Sequence, residues 1–145
     1  MKFYPFLKKG KIIFWEYLHV KQYFIIMHEL SIAQEIIENI IRSAQEHNAE
    51  KIEKITLEVG KLLLLNPEQL KFGLELLSKD TPAEGMEIEI KFIPAKIKCK
   101  NNHITSISPD VEFLDIARHL RCSRCSEEVE IIGGRELIIK RIVAE

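Results

Sequence analysis

Cys122 and Cys125 stand in the run CSRC, the spacing at which one tight turn aims two thiolates at a single ion. The third and last cysteine, Cys99, lies upstream in KCKNNH. A tetrahedral structural zinc takes four ligands, so three cysteines need one more donor. His103 is the first candidate, giving a C-x3-H knuckle opposite the C-x2-C one. Asn102 occupies the offset of a second cysteine, but its amide oxygen is a poor zinc ligand beside thiolates. His119, three residues before Cys122, is the other histidine within reach. If His103 is only a loop residue, the site is incomplete. Used as a redox dithiol, CSRC would want a helix start and a βαβ setting, which its surroundings do not provide.

A second group is Met27, His28 and Glu29, at an internal methionine where a new amino terminus could begin. With Met27 as first residue, its α-amine, the His28 amide nitrogen and the His28 Nδ1 close two fused chelate rings around one ion. Such a tetragonal nitrogen field suits Ni(II), and Cu(II) still better. The Glu29 amide or a donor from elsewhere fills the fourth position, and the Glu29 carboxylate is placed to orient His28. Without the terminal amine, a histidine beside a helix start is usually a surface or capping residue.

The elements that must position these groups are legible from periodicity. Leu30, Ile32, Ala33, Ile36, Ile37, Ile40, Ile41 and Ala44 recur at helical spacing. Ser31 followed by Gln34 reads as a capping box, which starts the regular helix just after His28-Glu29-Leu30. Ile55, Leu57 and Val59 alternate as a strand interrupted by Gly60. NPEQ at 66–69 starts a second helix: Asn66 caps, Pro67 fits the first helical position, and Glu68 favours the positive end. Met86, Ile88, Ile90 and Phe92 form another alternating strand, and 135–143, after Gly133-Gly134, reads as a last one. The expected fold class is α+β, a two-layer arrangement with a small sheet of about three strands covered by two helices. Residues 95–132 form an inserted zinc-ribbon-like lobe that holds all three cysteines, with 27–94 and 133–145 as the nickel-binding α/β domain.

Composition bounds the partners. The chain carries 21 basic and 22 acidic side chains, so no basic field points to nucleic acid or a membrane. The average hides a break. Residues 1–26 hold eight of the eleven aromatic residues and five lysines against the single acid Glu16. We read 1–26 as an extension of different origin from the rest, its upstream start wrongly assigned. Its apolar runs, IIFW and YFII, are too short for a signal peptide or a membrane span, and the thiols suit a cytoplasmic setting.

MHELSIAQEII, ITLEVGKL, NPEQLKFGLELLSKDTPAEG, IEIKFIPAKIKC and CSRC together resemble the HypA family, nickel metallochaperones of hydrogenase maturation. The resemblance runs from Met27 to the end. It implies Ni(II) carried at Met27, His28 and Glu29, and a structural Zn(II) in the inserted lobe at Cys99, Cys122 and Cys125. At the first knuckle this chain departs from the usual cysteine pair, with Asn102 and His103 in its place. His119 is a possible additional metal ligand. The implied partners are a HypB-type GTPase and the NiFe-hydrogenase large-subunit precursor, with the chain a monomer or weak homodimer and not an enzyme. The rival reading is a zinc-ribbon adaptor for protein or nucleic acid. The excess of acids after residue 26 and the presence there of only Phe72, Phe92 and Phe113 as aromatics disfavour a nucleic-acid surface.

Overall fold

The computed structural model describes residues 6–8, 11–14, 18–19, 29–108, 110–112, 115 and 121–145. In chain order these form β1 (Phe6–Lys8), β2 (Lys11–Phe14), β3 (Leu18–His19), α1 (Glu29–Glu46), β4 (Ile52–Gly60), a 3-10 turn at Lys61–Leu63, and α2 (Pro67–Leu77). They continue with β5 (Glu87–Ile93), β6 (Ala95–Cys99), β7 (Ile104–Ile107), β8 (Val129–Gly133) and β9 (Leu137–Ala144). One sheet runs β1-β2-β9-β4-β5, with β3 also on β9; a second runs β7-β6-β8. The α+β class holds, and β9, β4 and β5 are the three strands expected from the alternating patterns. The other three strands of the larger sheet come from residues 6–19, where composition announced only a break.

The chain divides into two compact units. The first, residues 1–58, 65–91 and 137–145, takes its core from the periodic positions. Ile36 and Ile40 of α1, Leu70 and Leu74 of α2, Ile52, Ile55 and Leu57 of β4, and Ile139 and Ile142 of β9 are fully buried. Each such side chain contributes about 1.5–3 kcal/mol relative to exposure. The helices approach closely at Gly73, where an added Cβ would lie 3.2 Å from the Ala33 Cβ and 3.5 Å from the Leu30 Cδ1.

Helix α1 begins at Glu29, two residues earlier than the capping-box pattern predicts. Ser31 is exposed inside the helix, and the Gln34 side chain donates to Glu38 rather than reaching back. Tertiary contacts override the local signal here: Leu30 packs at Gly73, and the Glu29 carboxylate accepts a hydrogen bond from the Asn66 amide at 3.2 Å. An acid in the first turn also suits the helix dipole. At the other end Asn48 takes a left-handed conformation (φ 54°), and the amides of Asn48 and Ala49 bond back to Gln45 and Ala44 in a Schellman pattern. Helix α2 starts as expected, the Asn66 side chain accepting from the amides of Glu68 and Gln69 at 3.0 and 3.1 Å.

Charged residues line part of β4 and β5. Lys54 reaches Glu87 at 3.2 Å and Glu89 at 3.4 Å, and Lys91 reaches Glu89 at 3.6 Å. The hydrogen bond to Glu87 raises the Lys54 pKa, and the bond from Lys54 lowers that of Glu89. On the neighbouring strand Lys140 pairs with Glu58 at 2.5 Å.

The second unit comprises residues 59–64 and 92–136. Its small core is Ala95, Ile97 and Ile107, with Leu62, Val111 and Val129 packed against it. Three backbones meet at its base. An added Cβ on Gly60 would sit 2.2 Å from the Gly134 carbonyl oxygen, and one on Gly134 (φ 102°) would sit 2.7 Å from the Ala95 Cα. The Gly60 amide donates to the Glu136 carbonyl at 2.7 Å, and the Leu62 amide to the Gly134 carbonyl at 2.9 Å. The glycines are therefore required by close approach, not only by turn geometry.

Candidate metal centre

The first knuckle is the β6–β7 turn. Cys99 ends β6, and Asn102 turns the chain with φ 62°, its amide donating to the Cys99 carbonyl at 3.0 Å. The Cys99 amide then donates to the His103 carbonyl at 3.2 Å, while the His103 amide points at the Cys99 Sγ at 3.4 Å. Asparagine tolerates the left-handed conformation, so position 102 serves the backbone of a turn that carries His103 to the same side as Cys99.

The second knuckle closes between the bridged residues Arg121 and Glu128. The Cys122 amide donates to the Glu127 carbonyl and the Ser126 amide to the Cys122 carbonyl, both at 2.9 Å. Ser126 has φ 59°, and the Arg124 amide points at the Cys122 Sγ at 3.4 Å.

The two turns bring four donor atoms within 4.8 Å of one another: the thiols of Cys99, Cys122 and Cys125 and a ring nitrogen of His103. Cys99 and Cys122 are buried; Cys125 and His103 are partly so. The Cys99 and Cys125 sulfurs are 3.7 Å apart, and the Cys122 sulfur is 3.5 Å from the His103 Nδ1. A zinc ion about 2.3 Å from sulfur and about 2.0–2.1 Å from nitrogen sets tetrahedral edges of about 3.8 Å between sulfurs and about 3.5 Å between sulfur and nitrogen. These two of the six edges match, and the three thiols and one imidazole are a donor set suited in chemistry to Zn(II).

Electrostatics favour a thiolate in this cluster. The Cys122 pKa falls from 9.0 to about 6, chiefly through the Arg124 amide and against the cost of burial, helped by the Cys125 amide and by His103. Cys125 moves upward: the Glu127 amide and the Asn101 side chain pull it down, but burial and the thiols of Cys122 and Cys99 outweigh them.

Of the other expected site residues, Met27, His28 and His119 lie outside the described residues. Glu29 is described, and the structure brings it to the start of α2 through the Asn66 amide. The NPEQ motif was legible as a helix cap, but nothing in its spacing showed that the same residue would receive Glu29 from 37 positions away.

The model of a family described as "Hydrogenase/urease nickel incorporation, metallochaperone, hypA" matches residues 27–144. The chain belongs to the HypA family. It is similar to the hydrogenase maturation factor HypA of Methanosarcina acetivorans, 36% identical over 128 residues, with 82% of this chain and 96% of that protein covered. The same protein of Methanocaldococcus jannaschii is 38% identical over 125 residues, covering 82% and 98%. Among solved structures, the Ni metallochaperone HypA from Helicobacter pylori superposes with a TM-score of 0.55 at 20% identity, covering 79% of this chain and 96% of that one. That likeness supports the fold; membership of the HypA family rests on the sequence match. Among the described residues no helix is long and apolar enough to cross a membrane.

Proposed function

We propose that this HypA-family chain is a nickel metallochaperone that binds Ni(II) through Met27, His28 and Glu29 and delivers it, with a HypB-type GTPase, to the NiFe-hydrogenase large-subunit precursor in the cytoplasm. The observation that carries this reading is the start of the family match at Met27, the residue that opens Met-His-Glu. In a chain beginning there, the Met27 amine, the His28 amide and Nδ1 and the Glu29 amide offer four nitrogens to the metal. The Glu29 carboxylate, bonded to the Asn66 amide, ties this segment to the first turn of α2. Nickel is cargo in this account, and no residue acts as a catalytic acid, base or nucleophile.

Cys99, His103, Cys122 and Cys125 would hold a structural Zn(II). A bound zinc would supply cross-linking in a unit whose described apolar cluster, centred on Ala95, Ile97 and Ile107, is small. The test is metal titration of two forms of the chain, starting at Met1 and at Met27, with His28→Ala as control. The Met27 form is expected to bind one Ni(II) more tightly than the Met1 form, with affinity falling at low pH as amine and amide protons compete. Equal nickel binding by the Met27 form and its His28→Ala variant would reject the reading.

A further inference from the structure

We infer that the outer edge of β5 pairs with the same edge of a second copy of this chain, in an antiparallel register centred on Ile90. β5 ends the order β1-β2-β9-β4-β5, so one side of it pairs with β4 and, among the described residues, no strand takes the other. Its sequence, EIEIKFI, contains neither proline nor glycine, so every residue in it can join a ladder. β5 lies within the span that matches the family, at the opposite end of the sheet from β1. The inference therefore holds for a chain that starts at Met1 or at Met27.

Charge selects both the occupant and the register. Glu87, Glu89 and Lys91 alternate with Ile88 and Ile90, which puts the three charged side chains on one face of the strand. A two-fold axis at Ile90 sets Glu89 of each copy directly opposite Lys91 of the other, so one self-complementary patch makes two opposite-charge pairs. Lys54 of β4 already holds Glu89 at 3.4 Å. Glu89 would then lie between Lys54 of its own chain and Lys91 of the second copy, with the sign of charge alternating across three strands. Lys91 reaches Glu89 of its own strand at 3.6 Å, but the two side chains keep 58% and 39% of their surface exposed and are free to face a new partner. Moving the axis to Glu89 sets two carboxylates face to face, and moving it to Lys91 sets two ammonium groups face to face; both arrangements are unfavourable. A lysine commonly guards an edge against pairing. Here the second copy presents a carboxylate to that lysine, so Lys91 selects one register instead of forbidding them all.

The test is sedimentation equilibrium of the full chain and of two charge variants, Lys91→Glu and Glu89→Lys. The unaltered chain is expected to dimerise, more weakly as salt is raised because the pairs lie at the surface. Each variant alone places like charges opposite one another twice and should dimerise at least tenfold more weakly. An equimolar mixture of the two variants restores both opposite-charge pairs and should recover the association. A chain that stays monomeric at its highest soluble concentration overturns the inference, as does a dimer indifferent to either substitution or a mixture that recovers nothing. Amide hydrogen exchange of the unaltered chain reads the same edge without a variant: protection at 88–92 should rise with protein concentration while 36–40 in α1 stay constant. Exchange at 88–92 that is independent of concentration also overturns the inference. None of these readouts involves nickel, so their outcome is independent of the proposed function.

Discussion

The Nδ1 atom of His103 faces the Sγ atom of Cys122 at 3.5 Å, joining two turns that are 19 residues apart in the chain. A histidine that was only a loop residue would have no reason to meet the deepest thiol of the opposite knuckle. We therefore expect His103→Ala to lose zinc to a chelator at least tenfold faster than the unaltered protein, and Cys122→Ala to purify with less than one zinc per chain. Metal analysis after chelator challenge reads both; full zinc retention by His103→Ala removes His103 from the ligand set.

The depressed Cys122 pKa has a pH signature in the metal-free protein. Its folded value of about 6 lies below the ordinary 9.0, so the unfolded chain binds more protons between these values, and this group adds stability as pH rises through that window. The benefit is complete above about pH 9 and is lost as pH falls through about 6; the raised Cys125 opposes it at the alkaline end. Thiolate absorbance near 240 nm should show a step around pH 6 that disappears in Cys122→Ala. A titration with no step below pH 8 would contradict the arrangement of the Arg124 amide and His103 around this sulfur.

Spacing made this cluster legible because each knuckle is local: C-x3-H and C-x2-C each span one turn, and only their meeting is long-range. The helices and strands β4, β5 and β9 were legible for a similar reason, since burying one face writes a period of 3.6 or 2 into the sequence. What escaped was set by distant partners. Glu29 rather than Ser31 begins α1 because α2 supplies Gly73 and the Asn66 amide. β2 and β3 find β9 across more than a hundred residues, and the aromatic-rich composition of residues 1–26 says nothing of which edge they join.

Asn66 links two effects that one substitution pair separates. Its side chain accepts two amide hydrogen bonds at the start of α2, whereas its backbone amide donates to Glu29. Asn66→Ala should cost about 1 kcal/mol of stability through the lost cap and keep the Glu29 contact. Glu29→Ala should leave the cap in place and free the Met-His-Glu segment, lowering nickel affinity more than stability. Urea unfolding and nickel titration of both variants distinguish these roles; a larger nickel defect in Asn66→Ala than in Glu29→Ala would mean that the asparagine side chain itself serves the metal.

Gly60 and Gly134 carry the strongest steric demand among the described glycines of the second unit. Alanine at 60 places its Cβ 2.2 Å from a carbonyl oxygen of the backbone, which cannot move aside as a flexible side chain would. Alanine at 134 meets the Ala95 Cα at 2.7 Å and must also adopt φ 102°, a conformation closed to residues with a Cβ. Overpacking of this kind typically costs about 1–3 kcal/mol, and the backbone strain at 134 adds to it. Both variants should therefore unfold at lower urea concentration than Gly85→Ala, where φ is also positive (74°) but no atom lies within 4 Å. The comparison separates close approach from backbone conformation. If Gly60→Ala, whose own φ is −61°, were as stable as the unaltered protein, the three backbones at the base of this unit could not be as tightly apposed as the structure has them.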